Sequence, residues 1–250
     1  MIVSLLAFIT VFTLIVVVHE FGHFVTARKA GIRVYEFSIG FPFSPRLFTL
    51  FRHKETAFTV RLLPIGGFVS FSQDGGEDST ELFDASNSKR ALVLSSGSLF
   101  NIIFAFIVFV PVFVIGKHLN LIDAIWLSAK TVLEILSGTI MFILNIFTGH
   151  GTVEGLSGPV GIAAMAGQAA SKGILSLFYF MGVLSMSLGI INLLPLPALD
   201  GGHLIMLFIE SIRKKPLSPK TYQVVTLVGL SLFLVLTVAV TYKDVAKLIA

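Results

Sequence analysis

The stretch VVVHEFGHFV, residues 16–25, places two histidines and a glutamate directly behind an apolar run. In a helix, positions i and i+4 share one face a turn apart, so His19 and His23 can offer imidazole nitrogens to a single ion. Glu20 sits beside them. The His-Glu-x-x-His spacing on a helix is the zinc-peptidase pattern, in which the glutamate acts as general base toward a water at the metal. In a soluble helix two such histidines are about as often simple capping or interfacial residues. Behind an apolar run that reading weakens, because an ionisable group at hydrocarbon depth costs about 2.5–3.5 kcal/mol on insertion scales. A dication is the simplest partner for such a group.

Two histidines do not complete a catalytic zinc site, which usually takes three protein ligands and keeps one position open. The chain has no cysteine, so the third ligand must come from His, Asp or Glu. The stretch LGIINLLPLPALDGGHL, residues 188–204, supplies Asp200 at the end of another apolar run. An isolated Asp-Gly-Gly reads by default as a turn. Depth favours the ligand. The first 18 residues, at ~1.5 Å each, cover about 27 Å, which brings His19 from one face of the hydrocarbon to the other. The run from residue 173 to Asn192 covers a similar distance before Pro195 and Pro197 end the helix. If both run the same way, Asp200 arrives at the depth of His19 and His23.

Those elements must be membrane spans. Of 250 residues, 55% are hydrophobic and only 13% charged, which excludes an ordinary soluble domain. Uncharged stretches at 1–18, 91–116, 173–199 and 221–242 each have the length that a ~30 Å hydrocarbon layer requires. The expected fold is an all-α polytopic membrane protein with about four transmembrane helices and a small membrane-associated β-hairpin. The first run lacks a basic leader and a cleavage site, so it is read as a retained helix. Arg28, Lys29 and Arg33 follow it closely, and Arg213, Lys214, Lys215 and Lys220 cluster before the last run, which puts the N-terminus outside and the His-Glu-x-x-His end toward the cytoplasm. The net charge of +4 brings no basic helix or aromatic-basic platform, and no nucleic-acid partner is expected.

Three segments follow: residues 1–116 with the first two helices and the loop between them, 117–172 as an extracytoplasmic amphipathic segment, and 173–250 with the last two helices. Within the first loop, TAFTVRLLPIGGFVSFS reads as two strands joined at residues 64–67. SQDGGEDSTE after it is acidic and glycine-rich, and reads as flexible. In the middle segment Asp123, Lys130 and Glu134 interrupt the apolar pattern, and Lys130 and Glu134 share a helical face. This favours a helix lying on the outer surface over a fifth span.

HEFGH and NLLPLPALDGGHL, with GIRVYEFSIGF, LLPIGGFVSF and LSGPVGIAAMAG in the same order, resemble the site-2 protease family, in its bacterial branch similar to the regulator of sigma-E protease. The resemblance covers nearly the whole chain. It implies Zn2+ held by His19, His23 and Asp200, with Glu20 as catalytic base. It also implies a re-entrant β-hairpin around residues 57–72 that holds substrate, with Asn192, Gly66, Gly67 and Phe68 as substrate contacts. The activity it implies is hydrolysis of a peptide bond in or near the transmembrane segment of a membrane protein, as in regulated intramembrane proteolysis of anti-sigma factors or signal-peptide remnants. The setting it implies is the bacterial inner membrane, with single-pass membrane proteins or peptides and the lipid bilayer as partners.

The chain departs from that branch twice. No PDZ module fits between residues 116 and 172. In SSGSLFN, residues 95–101, Ser98 stands where the family tends to have proline, which leaves the start of the second helix open but touches no expected ligand. His203 reads as packing beside the site, and His53, His118 and His150 as solvated. The rival from another class is a divalent-metal transporter or metal-binding membrane protein, which also buries His and Asp at mid-depth. A transporter would show repeat symmetry and ligands spread along a path, whereas this chain shows one compact set beside a free glutamate.

Overall fold

The computed structural model describes residues 2–42, 44–63, 66–72, 80–150 and 157–249. Helix α1 (Ile2–Lys29) carries the His-Glu-x-x-His stretch in its last third. It ends where Arg28 and Lys29 meet the negative pole of the helix dipole and Gly31 takes φ +79°, with Ile32 N–H donating to the Ala27 carbonyl.

Four short strands follow: β1 (Glu36–Ile39), β2 (Arg46–His53), β3 (Thr56–Arg61) and β4 (Gly67–Ser70), in the order β2-β3-β1-β4. This corrects the expected hairpin over residues 57–72. Strands occur at both ends of that stretch, but β1 lies between them, parallel to β3 and antiparallel to β4. Alternation reports which face a residue takes, not which strand it pairs with. Here β1 aligns Phe37 with Phe58 and Val69, and so gathers one apolar face. The hairpin is instead β2–β3, turning at Lys54 with φ +55°. Pro64 and Ile65 of the expected turn, and residues 73–79 of the acidic stretch, lie outside the described residues.

The remaining helices are α2 (Thr80–Phe83), α3 (Asn87–Gly116), α4 (Leu121–Phe147), α5 (Pro159–Ser171), α6 (Ile174–Asn192), α7 (Asp200–Arg213) and α8 (Pro219–Ile249). The start that Ser98 left open therefore lies well upstream, at Asn87. Among the described residues five helices are long and apolar enough to cross a membrane: α1, α3, α4, α6 and α8. The fifth is α4, the segment expected to lie on the surface. Ala124, Ser128 and Thr131 form its buried side, and Lys130 and Glu134 stand exposed, 3.8 Å apart. Its charges do not break it. Asp123 sits in the first turn, where its N–H donates to the Asn120 cap, and the other two make an i,i+4 pair.

The chain divides into two compact units. One comprises residues 1–11, 102–190 and 230–250. Its core joins Ala105, Phe109, Val112, Phe113, Ala124, Met186 and Ile190, and Phe109 packs into the space left by Gly182. There, Asp244 accepts hydrogen bonds at 2.8 Å from the N–H groups of both Gly158 and Gly161, capping the start of α5.

The other unit comprises residues 12–101 and 191–229, and holds every residue of the candidate site. Phe24, Phe37 and Phe58 meet with ring centroids 5.5–5.6 Å apart and fasten the apolar face of the sheet to α1. Ala27, Ile32, Val34 and Val93 extend this packing to α3. The two helices touch closely at Gly22, where a Cβ would come within 2.6 Å of the Ser96 carbonyl and 3.0 Å of Gly97 Cα.

Candidate metal centre

His19 and His23 lie one turn apart on α1 with their rings nearly perpendicular, at 86°, and both are buried. Each ring is held from behind by α3. Nδ1 of His23 donates to the Val93 carbonyl at 2.7 Å, which fixes the tautomer and leaves Nε2 free to ligate. The Asn101 carboxamide lies 3.4 Å from Nδ1 of His19. The Nε2 atoms then face one another at 3.2 Å.

Asp200 reaches the same point from α7. The helix α6 ends at Asn192, and a loop with two prolines turns the chain through Ala198, a non-glycine residue at φ +70° that costs about 1–2 kcal/mol. The loop is wedged against glycines: a Cβ on Gly201 or Gly202 would strike the carbonyls of Leu193, Leu194 or Leu196, and one on Gly229 of α8 would strike Pro197. This explains both glycines after Asp200. Its Oδ2 is buried without a hydrogen bond, 3.0 Å from Nε2 of His19 and 3.5 Å from Nε2 of His23. Burial opposes ionisation of this carboxyl, yet the two imidazoles hold it well below the usual carboxylate range.

These separations test the fit of an ion. Four-coordinate zinc with ligands at 2.0–2.2 Å places neighbouring ligand atoms about 3.3–3.5 Å apart. The three atoms here stand 3.0, 3.2 and 3.5 Å from one another. Two nitrogens and one carboxylate oxygen at these separations suit zinc. A cavity of about 180 Å³ opens beside them, lined by Glu20, Val69, Phe71, Leu82, Val93 and Leu94 as well as the three ligand residues. It leaves room at the fourth position.

The other expected site residues fall as follows. Glu20 lines the cavity, and the Val69 main chain hydrogen-bonds to its carboxylate. Gly67 approaches it so closely that a Cβ there would lie 3.4 Å from Glu20 Cγ, and Gly66 adjoins Val16. Phe68 points to the other face of the sheet, under the Arg61 guanidinium at 4.6 Å, so its side chain is turned away from the cavity. Asn192 is the last residue of α6 and half-buried. His203 donates to or accepts nothing at the centre: its Nδ1 pairs with the Leu199 carbonyl at 3.0 Å, and its ring stacks toward Tyr222.

Helix α3 takes part in the centre without carrying any of the expected site residues. A Cβ on Gly97 would stand 2.5 Å from Nε2 of His23 and 2.8 Å from Nε2 of His19, so the wall of the centre is bare main chain. The signal was in SSGSLFN, whose Gly97 and Asn101 lie one turn apart on a single helix face. The stretch touches the expected ligands through Gly97 and Asn101, and Ser98 itself is fully buried.

Residues 7–236 match peptidase family M50. The chain belongs to this family, the site-2 proteases. It is a multi-pass membrane protein and a zinc metalloprotease. Relatives in the family include a protein of Clostridium perfringens described as a zinc metalloprotease, 29% identical over 94% of this chain and 96% of the relative. The zinc metalloprotease RasP of Shouchella clausii is 25% identical over 98% and 99% of the two chains. The regulator of sigma-W protease RasP of Bacillus subtilis is 23% identical over 98% and 99%. The last two alignments run over 417 and 419 positions against 250 residues here, so these site-2 proteases carry segments that this chain lacks.

Proposed function

We propose that this protease cuts a peptide bond in or near the transmembrane segment of single-pass membrane proteins or membrane-embedded peptides, with His19, His23 and Asp200 holding zinc and Glu20 as the base. The observation that carries the reading is the convergence of three buried ligand atoms on one point beside Glu20, which is not one of the three. Zinc, when bound, supplies a Lewis acid that polarises the scissile carbonyl and acidifies water. Glu20 takes the proton from the attacking water and returns it to the departing amide nitrogen. Val93 and Asn101 keep the imidazoles aimed, and the Phe71 and Leu82 side chains line the cavity beside Glu20.

A peptide bond inside an α-helix is shielded, so the substrate must unwind locally before it is cut. Among the described residues β4 is an end strand of the sheet and runs past Glu20 at Gly67 and Val69, which supports its use as a template for an extended substrate backbone. Gly66 and Gly67 keep that approach open, and Asn192 stands as a further contact at the helix end. The placement of Lys and Arg along the chain supports an N-terminus outside and a centre on the cytoplasmic side of a bacterial inner membrane. The name of the Bacillus subtilis relative supports a role in regulated proteolysis of anti-sigma factors, with signal-peptide remnants as the second class.

The test is cleavage of a membrane-spanning reporter in proteoliposomes by the wild type and Glu20→Gln. The wild type should release fragments, and Glu20→Gln should keep its zinc while losing at least about 10²–10⁴ in rate. Retained cleavage would remove Glu20 as base. Glu20-dependent zinc flux without fragment release would favour transport instead.

A further inference from the structure

Asp200 opens α7, where close glycine contacts seat the helix against its own preceding loop, and that loop against α8. The other end is tied to α3. Glu210, only 4% exposed, accepts from Nη1 of Arg90 at 2.7 Å through Oε2, and from the Leu217 N–H at 2.8 Å through Oε1. Arg90 is equally buried and donates through Nη2 to the Tyr222 hydroxyl at 2.9 Å. Its guanidinium lies 5.0 Å over the Phe83 ring and 5.9 Å from that of Tyr222, and those two rings meet edge to face at 4.8 Å. One buried cation thus ties α2, α3, α7 and the start of α8 together.

Arg90 also shares an α3 face with the groups that aim the histidines. Positions 90, 93, 97 and 101 recur at helical spacing, so the face carries the Arg90 anchor, the Val93 carbonyl, the bare Gly97 and the Asn101 carboxamide within about three turns. A buried ion pair is a poor choice if stability alone is wanted, since apolar residues of like volume serve as well or better. Its distinct property is direction: a planar fork and two carboxylate oxygens each bind at fixed angles. Ligand atoms must sit within about 0.2 Å of their required distances for a metal to be held, a tolerance that helix packing alone does not guarantee.

We propose that the Arg90–Glu210 pair is a positioning brace that locks the register of α7 against α3 and thereby holds the Asp200 carboxylate opposite His19 and His23. This rests on the reading of those three residues as the metal centre. Arg90 and Glu210 touch neither ion nor substrate, and act through Asp200.

The test uses the full chain in detergent with Co2+ as the probe, whose visible absorption reports coordination geometry, together with chelator competition for affinity. Wild type should bind one Co2+ with the intense band of a tetrahedral site. The double variant Arg90→Met/Glu210→Met removes both buried charges and keeps the volume, so it should still fold, at a modest cost from the Leu217 N–H and Tyr222 hydroxyl that lose these partners, yet hold Co2+ about 10- to 100-fold more weakly, with a fainter, shifted band. Glu210→Gln, which keeps the volume and the acceptor for Leu217, should move the same way and stands in if the double variant fails to fold. Arg90→Lys should recover part of the affinity but not the band. A folded double variant, or failing that Glu210→Gln, with wild-type affinity and spectrum would overturn the brace. Wild type that binds no Co2+ would overturn the metal-centre reading, and the brace with it.

Discussion

Gly97→Ala adds one methyl group at the wall of the metal centre. The new carbon would stand 2.5 Å from Nε2 of His23, 2.7 Å from Cε1 of His19 and 2.8 Å from Nε2 of His19. Carbon and nitrogen rest comfortably at roughly 3.5 Å, so both rings, or the whole of α3, must retreat by about 1 Å. Overpacking of this kind costs about 1–3 kcal/mol in stability. The effect on the site is larger. The ligand atoms now span 3.0–3.5 Å, and a retreat of about 1 Å takes the imidazoles outside the ~0.2 Å tolerance of a zinc site. The methyl also fills space beside the nitrogens that an ion would occupy. The expected result is at least a 100-fold loss of zinc affinity with the fold intact, read as zinc content after dialysis against a graded series of chelators. Gly138→Ala on α4 is the control, because a Cβ there meets nothing within 4 Å, and it should bind zinc as the wild type does. A Gly97→Ala protein that keeps one zinc at wild-type affinity would refute the placement of α3 against the histidines.

Other perturbations separate the centre from the scaffold. Asp200→Asn removes the anionic ligand and should lower zinc retention and reporter cleavage together; loss of cleavage with full zinc affinity would make Asp200 something other than a ligand. Stripping the metal should lower the thermal transition, since an ion present at 100 times its dissociation constant adds about 2.7 kcal/mol, and zinc should restore it. A transition indifferent to chelator would count against a site built on α1 and α7. Asp244→Asn should cost about 2 kcal/mol by weakening two 2.8 Å bonds to the start of α5, while zinc content stays at the wild-type level.

The ligands were legible for different reasons. His19 and His23 needed only the period of one helix, a local property. Asp200 needed an inventory without cysteine and a count of residues across the hydrocarbon. Neither argument needs to know how two elements pack, although the count for Asp200 applies only if α1 and α6 run the same way, which a crossing by α4 would reverse. What escaped depends on packing. Gly97 and Val93 act because α1 and α3 touch at Gly22, and no pattern within either helix announces that contact. Arg90 and Glu210 lie 120 residues apart and look like ordinary flanking charges. The strands at residues 57–72 were found, but β1 is four residues long and its insertion between them is a matter of partner choice, on which alternation is silent. In α4, Asp123, Lys130 and Glu134 interrupt the apolar pattern, and a cap and an exposed i,i+4 pair let one helix carry all three.

At Gly97, α3 presents bare main chain to the two imidazoles, with no side chain at that point to swing aside. Among the described residues, the cavity at the centre opens past Glu20 on the side lined by Val69, Phe71 and Leu82, and ion and polypeptide would share it. Traffic through it is mutually exclusive: a peptide seated for cutting corks the ion in, and exchange of the metal waits for the interval between turnovers.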